Sequence, residues 1–217
     1  MNWHFPPLFW KQLLSEETTA ADLEYIDAYS FQVIKDLKSH RESLSPEAFN
    51  AAVNETFTTH LSNGHLVELV PGGKEVEVTH ENVNEYCDLL VKARLNEANK
   101  QMEWVKEGVE YIIKLNILTL LVWEELEVRA CGPKEIDVEA LKKITEYNTS
   151  PENRIVKMFW KMFEKFSQDE RRKYLKFVWG RSKLPADTSD LQYKHEVKVY
   201  SHLNKSALPE AHTCFFQ

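Results

Sequence analysis

Apolar side chains recur every three or four positions along much of the chain, the spacing that places them on one face of an α-helix. Met102, Val105 and Val109 are a clear example. Another segment with this spacing runs from Glu81 to Leu95. The pattern predicts helices over residues 20–26, 28–41, 47–53, 81–95, 98–115, 123–131, 137–143, 152–166 and 169–179.

Shorter runs with a period of two, or rich in β-branched residues, indicate strands. Phe57 and residues 66–70 and 75–78 form one group, and residues 71–73 (Pro-Gly-Gly) supply the turn between the last two. Residues 194–200 and 213–216 form a second group. Because helices and small sheets are segregated along the chain, the sequence predicts an α+β fold.

Charge is distributed unevenly along the chain. Residues 1–150 contain 14 Lys and Arg against 26 Asp and Glu, whereas residues 151–217 contain 13 against 8. The polar segment 145–151, which is rich in turn formers, lies where the balance changes sign and is predicted to be a linker. We therefore expect two units with different electrostatic roles, and the net charge of −7 argues against a nucleic-acid partner.

The composition narrows the classes of protein further. With 43% apolar residues among 217, the chain can bury a sizeable core. Its longest apolar stretch, residues 115–123, is far shorter than the ~20 residues that span a membrane, and the start of the chain lacks the pattern of a signal peptide. The chain has three cysteines, an odd number, and they are widely separated: Cys87, Cys131 and Cys214. We expect no disulfide framework and a reducing compartment, the cytoplasm or the nucleus.

Candidate metal ligands are present near the carboxyl end but lack the usual spacing. His195, His202, His212 and Cys214 share one region, yet no CxxC or HxxxH pair occurs. Glycine-rich phosphate loops, GxSxG and HExxH motifs are also absent from the sequence. We therefore expect neither a metal nor a cofactor.

Residues 208–216 combine a proline, a His-Thr pair, Cys214 and two aromatic residues. A cysteine thiolate is a nucleophile for acyl transfer. In an extended segment, His212 and Cys214 would lie ~7 Å apart, which favours mild activation over direct proton transfer. Burial of Cys214 as a small apolar residue is the alternative. A cysteine hydrolase would need a base, for which His195, His202 and His212 are the positional candidates.

Residues 208–215, Leu-Pro-Glu-Ala-His-Thr-Cys-Phe, resemble the active-site signature of HECT-type ubiquitin ligases. Further segments resemble the same family in the same order: residues 9–14, 22–27, 68–73, 76–79, 82–86, 125–132, 145–147, 159–160 and 175–185. The Val-Trp-Gly-Arg form at residues 178–181 is most similar to the large HERC-type members. The resemblance covers nearly the whole chain.

This resemblance implies a bilobal architecture, with a mainly helical N-lobe that contains a small β-containing subdomain, and a smaller α/β C-lobe. Residues 1–146 would form a partial N-lobe, of which about 20–115 would bind the conjugating enzyme. Residues 147–150 would be a hinge, and residues 151–217 a truncated C-lobe with the catalytic cysteine. Because the family's domain starts upstream of Met1 and continues past Gln217, we expect a fragment or a shortened form.

The resemblance also implies an activity and its residues. Cys214 would accept ubiquitin from a conjugating enzyme as a thioester and pass it to a lysine of a protein substrate. His212 and Thr213 would shape the surroundings of this cysteine. The expected partners are therefore a ubiquitin-conjugating enzyme, ubiquitin and a protein substrate, with no nucleic acid and no membrane.

The family's docking surface is an apolar groove between two helices, and it maps to Ser30 and Ile34 on one helix and to Tyr86 and Leu89 on the other. Ser30 replaces the larger apolar residue that is usual there. Plain core packing is the alternative for Ile34, Tyr86 and Leu89. The alternative function is a truncated module that binds the conjugating enzyme without transferring ubiquitin.

Overall fold

A computed structural model describes residues 5–189, 191, 194–200 and 208–213. These residues form two compact units, one comprising Phe5–Glu124 and one that begins at Glu125. Both units combine helices with short strands, which confirms the predicted α+β class.

The first unit is built mainly from helices. Those in the described residues are α1 (Pro7–Leu14), α2 (Ala20–Ile26), α3 (Ala28–Ser43), α4 (Pro46–Ala52), α5 (Val83–Leu95), α6 (Asn99–Ile112) and α7 (Leu115–Leu118). Between α4 and α5, strands β1 (Thr58–His60) and β2 (Leu66–Glu68) pair antiparallel, with Thr59 opposite Val67.

Polar residues at the helix starts fix where these helices begin. Thr19 and Asp22 form a reciprocal capping box at α2, and the Ser45 hydroxyl accepts the backbone N–H of Ala48 at α4. The apolar faces then meet in one core whose fully buried members include Leu23, Phe49 and Val83. Burial of each such side chain contributes about 1.5–3 kcal/mol relative to exposure.

The second unit contains a parallel strand pair. Its elements are α8 (Trp123–Cys131, which starts at the end of the first unit), α9 (Val138–Lys143), β3 (Thr145–Tyr147), α10 (Arg154–Glu164), α11 (Gln168–Trp179) and β4 (His195–Val197). β3 and β4 run parallel, with Thr145 opposite His195. Ile136, Leu141, Phe163 and Leu175 lie fully buried in its core.

Gly132 ends α8 in the left-handed conformation that is common for glycine after a helix, with φ +86°. A Cβ atom at this position would lie 1.8 Å from the carbonyl oxygen of Leu184. The backbone at Leu184, beyond α11, therefore lies so close to Gly132 that no residue with a side chain would fit at position 132.

Several predicted elements differ from the structure. Helices α2 and α8 have the predicted bounds, whereas α1 and α7 were not predicted. The predicted strand 75–78 is wrong: a single 3-10 turn covers Gly73–Glu75, and an isolated bridge joins Thr56 to Glu77. Part of the predicted linker forms β3. The division into two lobes with a hinge at residues 147–150 stays a prediction.

Candidate functional site

The segment that carries the cysteine signature lies at the surface of the second unit as far as the structure describes it. Leu208 is 84% exposed, and His212 and Thr213 are also exposed. Ala211 is half-buried and packs against the core of this unit. Cys214 and most of the predicted strand 213–216 lie outside the described residues. In the described part of the signature, Ala211 thus packs on the core, whereas the polar side chains beside it are exposed to solvent.

His195 is fully buried and both of its ring nitrogens are hydrogen bonded. Nδ1 lies 2.7 Å from the Thr145 hydroxyl, and Nε2 lies 2.7 Å from the Tyr174 hydroxyl. Because the Thr145 hydroxyl donates its proton to the Leu141 carbonyl over 2.6 Å, it accepts from Nδ1–H, and Tyr174 then donates to Nε2. Burial lowers the pKa of His195 to about 4.

The position of His195 bears on the cysteine-hydrolase alternative. A general base needs a free nitrogen within reach of the thiol, and both nitrogens of His195 are occupied inside the core. The prediction of His195 as a candidate base is therefore wrong. His202 lies outside the described residues, which leaves exposed His212 as the described candidate.

The polar network around His195 continues into the neighbouring elements. Trp160 on α10 donates its indole N–H to the Tyr147 hydroxyl on β3 over 2.8 Å. The Asn148 side chain accepts the backbone N–H of Val199 and donates to its carbonyl, at 2.8 and 3.1 Å. Burial raises the pKa of Tyr174, so this hydroxyl stays a neutral donor. Together these bonds fix the chain from β4 to Val199 against the helices of its unit.

Helices α3 and α5, which carry the predicted docking groove, are joined by an ionic cluster in which Arg94 is buried and its acidic partners are half-buried. Nε of Arg94 donates to Asp27 Oδ2 over 2.8 Å, and Nη1 donates to Glu97 Oε2 over 2.6 Å. Asp27 also accepts the backbone N–H of Ser30, which caps the start of α3. Burial raises the pKa of Asp27, but hydrogen bonds from Ser30 and Arg94 outweigh it and hold this pKa below its usual value. The cluster therefore fixes the start of α3 against the end of α5.

The structure separates the four predicted groove residues into two pairs. Ile34 and Tyr86 are only 5% and 3% exposed and belong to the core of the first unit. Burial raises the pKa of Tyr86 to about 12. Ser30 and Leu89 are half-buried. Core packing thus accounts for Ile34 and Tyr86, while Ser30 and Leu89 keep accessible surface.

Two exposed tyrosines near this face were not predicted as partner-binding residues. Tyr25, near the end of α2, and Tyr29, at the start of α3, are 68% and 80% exposed. Tyr29 lies five positions before Ile34, which is about 140° around the helix at 3.6 residues per turn. An exposed aromatic side chain at a helix start is a usual anchor in protein interfaces.

The described part of the chain lacks both a cluster of metal ligands and a membrane-spanning helix. Its His, Cys, Asp and Glu side chains form no group of three or more that could hold a metal ion. None of the helices there combines the length and apolar character needed to cross a membrane.

Comparison with known proteins identifies the family. A family model described as HECT-domain (ubiquitin-transferase) matches residues 1–217, and the chain belongs to this family.

Its relatives include the E3 ubiquitin-protein ligase HERC2 of Mus musculus, which is 33% identical over 95% of this chain and 4% of that protein. The E3 ubiquitin-protein ligase pub1 of Schizosaccharomyces pombe is 31% identical over 95% of this chain and 27% of that protein. The E3 ubiquitin-protein ligase HUWE1 of Mus musculus is 30% identical over 99% of this chain and 5% of that protein. The chain thus spans only a small part of the length of these relatives.

Proposed function

We propose that this chain is a catalytic module that transfers ubiquitin through Cys214. The observation that carries the proposal is the family match over all 217 residues, which includes the Leu-Pro-Glu-Ala-His-Thr-Cys segment at residues 208–214. Cys214 accepts ubiquitin from a conjugating enzyme and passes it to a lysine of a protein substrate.

The chemistry consists of two acyl transfers at one sulfur atom. The Cys214 thiolate attacks the thioester carbonyl of ubiquitin bound to the conjugating enzyme, a new C–S bond forms, and the enzyme's cysteine leaves as a thiolate. The neutral amine of a substrate lysine then attacks the new thioester, an isopeptide bond forms, and the proton that the nitrogen loses passes to the departing Cys214 sulfur, which is released as a thiol. Such covalent catalysis divides one difficult transfer into two easier steps.

The described residues around the signature support this reaction. His212 and Thr213 immediately precede Cys214 and are exposed, so a large acyl donor can approach this segment from solvent. Ala211 packs on the core and limits how far the segment can move. His212 and Thr213 shape the surroundings of Cys214, and the first transfer requires neither side chain as a proton carrier, because a thiolate is both nucleophile and leaving group in that step.

The conjugating enzyme docks on the face of α3 and α5. Half-buried Leu89 and the exposed ring of Tyr29 supply its apolar contacts, and half-buried Ser30 lies beside them. Ile34 and Tyr86 support this face from the core. The cluster of Arg94, Asp27 and Glu97 holds the two helices in a fixed arrangement, which lowers the entropy cost of docking.

The remaining parts of the proposal follow from the same family membership. Residues 1–146 act as the donor-binding lobe, and residues 151–217 as the cysteine lobe. The segment 147–150 acts as the hinge that lets one thiol meet donor and acceptor in turn. The protein works in the cytoplasm or nucleus, where its thiols stay reduced.

A thioester assay tests the transfer. The chain is mixed with a ubiquitin-charged conjugating enzyme, and an adduct that reducing agent removes is expected for the native sequence. Cys214→Ser should give an adduct that resists reductant, because an oxyester replaces the thioester, and Cys214→Ala should give none. The matched control is Cys131→Ala, which also removes one thiol but at a buried position and should keep the adduct.

Two outcomes would contradict ubiquitin transfer through Cys214. An adduct that persists in Cys214→Ala would place the chemistry elsewhere. Docking of the conjugating enzyme without any adduct would instead support the binding-only module.

The docking surface has its own experiment, a binding titration with the conjugating enzyme. Tyr29→Ala and Leu89→Ala should each weaken binding about tenfold, the effect of losing ~1.4 kcal/mol of contact. Tyr111→Ala is the matched control, because Tyr111 is also an exposed tyrosine of the first unit but lies on α6. Equal losses in Tyr29→Ala and Tyr111→Ala would remove α3 as the docking helix.

A further inference from the structure

A small cavity in the second unit lies where the end of α8 meets the chain after α11. It has a volume of about 110 Å³ and is lined by residues 129–132 together with Arg181, Lys183 and Pro185. Close approach of Leu184 to Gly132, which only a residue without a side chain permits, brings the two sides of the cavity together. The space has room for several water molecules, and hence for one small polyatomic ion.

The charged side chains that line this cavity are all cationic: Arg129, Arg181 and Lys183. The side chain of Lys183 is only 9% exposed, so its ammonium group is held in place by the fold. The carboxyl end of α8 also borders the cavity, but a helix terminus contributes only about half a negative charge. The field in the cavity therefore favours an anion.

The nearest carboxylate does not neutralise these cations. Glu127 lies 3.5 Å from the Lys183 ammonium and 3.4 Å from that of Lys134, so two ammonium groups share one negative charge. No side-chain hydrogen bond or ion pair joins Arg129 or Arg181 to another residue within the described part of the chain. Two guanidinium groups thus keep their N–H donors available.

The orientation of Arg181 suits anion binding. Its guanidinium carbon lies 4.6 Å from the centroid of the Trp179 ring. Packing on an aromatic ring restrains the guanidinium and leaves its edge donors for a planar or tetrahedral oxyanion, which arginine binds with paired hydrogen bonds.

We propose that this cavity binds a small oxyanion, carboxylate or phosphate, through Arg129, Arg181 and Lys183. The ligand chemistry is the oxyanion group itself, on a free ion or at the end of a larger molecule. This binding does not depend on ubiquitin transfer, and its failure would leave the proposed function untouched.

The test uses the whole chain and the side-chain N–H signals of its arginines in NMR titrations. Sodium phosphate, sodium acetate and sodium chloride are added at matched ionic strength. Saturable shifts of the Arg129 and Arg181 signals with phosphate, with acetate or with both support the site and identify the preferred oxyanion. Shifts that do not saturate, or that chloride reproduces, overturn it.

Variants separate the cavity from the general charge of the unit. Arg181→Gln should weaken the saturable binding at least tenfold, and Arg181→Lys should weaken it less, because it keeps the charge but loses the paired donors. Arg154→Gln is the matched control, since Arg154 is exposed at the start of α10 and lies outside the cavity. Unchanged affinity in Arg181→Gln would overturn the assignment.

Discussion

The hydroxyl of Tyr174 donates a hydrogen bond to Nε2 of His195 over 2.7 Å, which requires the imidazole to be neutral. Protonation of Nε2 would put a second donor against the Tyr174 hydroxyl and a charge into the core. This contact therefore links the stability of the second unit to pH.

Stability should fall as the medium is acidified from about pH 6.5, the usual pKa of histidine, toward pH 4. In that range the unfolded chain binds a proton at His195 that the folded chain excludes, since its folded pKa is about 4. The loss in the free energy of unfolding approaches roughly 3 kcal/mol at about pH 4, because each unit of pKa difference corresponds to about 1.4 kcal/mol. Urea unfolding at pH 7 and pH 5 should show the loss in the native chain and less of it in His195→Gln.

A site-specific measurement checks the same assignment. The ring-proton signal of His195 should stay that of a neutral imidazole at pH 5. A midpoint for His195 near 6.5 would contradict the assignment.

Thr145→Val removes a hydroxyl that joins β3 to two partners while keeping the shape of the side chain. The Leu141 carbonyl would lose its donor and the His195 Nδ1–H its acceptor, both inside the core. We expect a loss of about 2 kcal/mol or more in the free energy of unfolding, because buried groups left without partners keep their desolvation cost. Thr119→Val is the control: its exposed hydroxyl also donates to a carbonyl, that of Asn116, and its loss should cost far less.

Arg94→Gln should destabilise the first unit by about 1–3 kcal/mol, because the half-buried Asp27 and Glu97 lose the cation that pairs with them. Lys114→Gln breaks an exposed ion pair with Glu110 on α6 and should cost below about 0.5 kcal/mol. Denaturant midpoints of the two variants give the comparison. Equal effects would show that the Arg94 cluster contributes no more than a surface pair.

Gly132→Ala and Gly180→Ala together separate backbone strain from steric clash. Both glycines adopt positive φ, +86° and +71°, where an L side chain costs about 1–2 kcal/mol. A Cβ at Gly180 meets nothing within 4 Å, whereas one at Gly132 would overlap the Leu184 carbonyl oxygen. Gly132→Ala should therefore lose about 3 kcal/mol or more and lower the melting temperature well below that of Gly180→Ala. Similar melting temperatures would argue against the close approach of Leu184.

Local sequence patterns determined much of the secondary structure and little of the pairing between distant segments. The bounds of α2 and the left-handed glycine after α8 follow from capping residues and periodicity. Residues 75–78 have the alternation of a strand, but their contact with the sheet is a single bridge. The parallel pairing of β3 with β4 depends on contacts between segments far apart, for which no turn gives a local signal.

The family resemblance identified the candidate cysteine segment, whereas exposure could be read only from the fold. The resemblance placed Ile34 and Tyr86 on a docking face, yet their side chains fill the core. Tyr29 on the same helix as Ile34 is exposed, because a helix of this length buries only one narrow face. His195 could not be distinguished from a reactive histidine by sequence, because its partners lie on β3 and α11.

The pairing of β3 with β4 has a consequence for synthesis on the ribosome. Thr145 and His195 are 50 residues apart in the chain. During synthesis β3 emerges before its partner strand. Its edge therefore stays unpaired until α10, α11 and β4 have been translated. This interval exposes backbone donors and acceptors with which other chains can pair, so aggregation during synthesis is favoured most before residue 195 emerges.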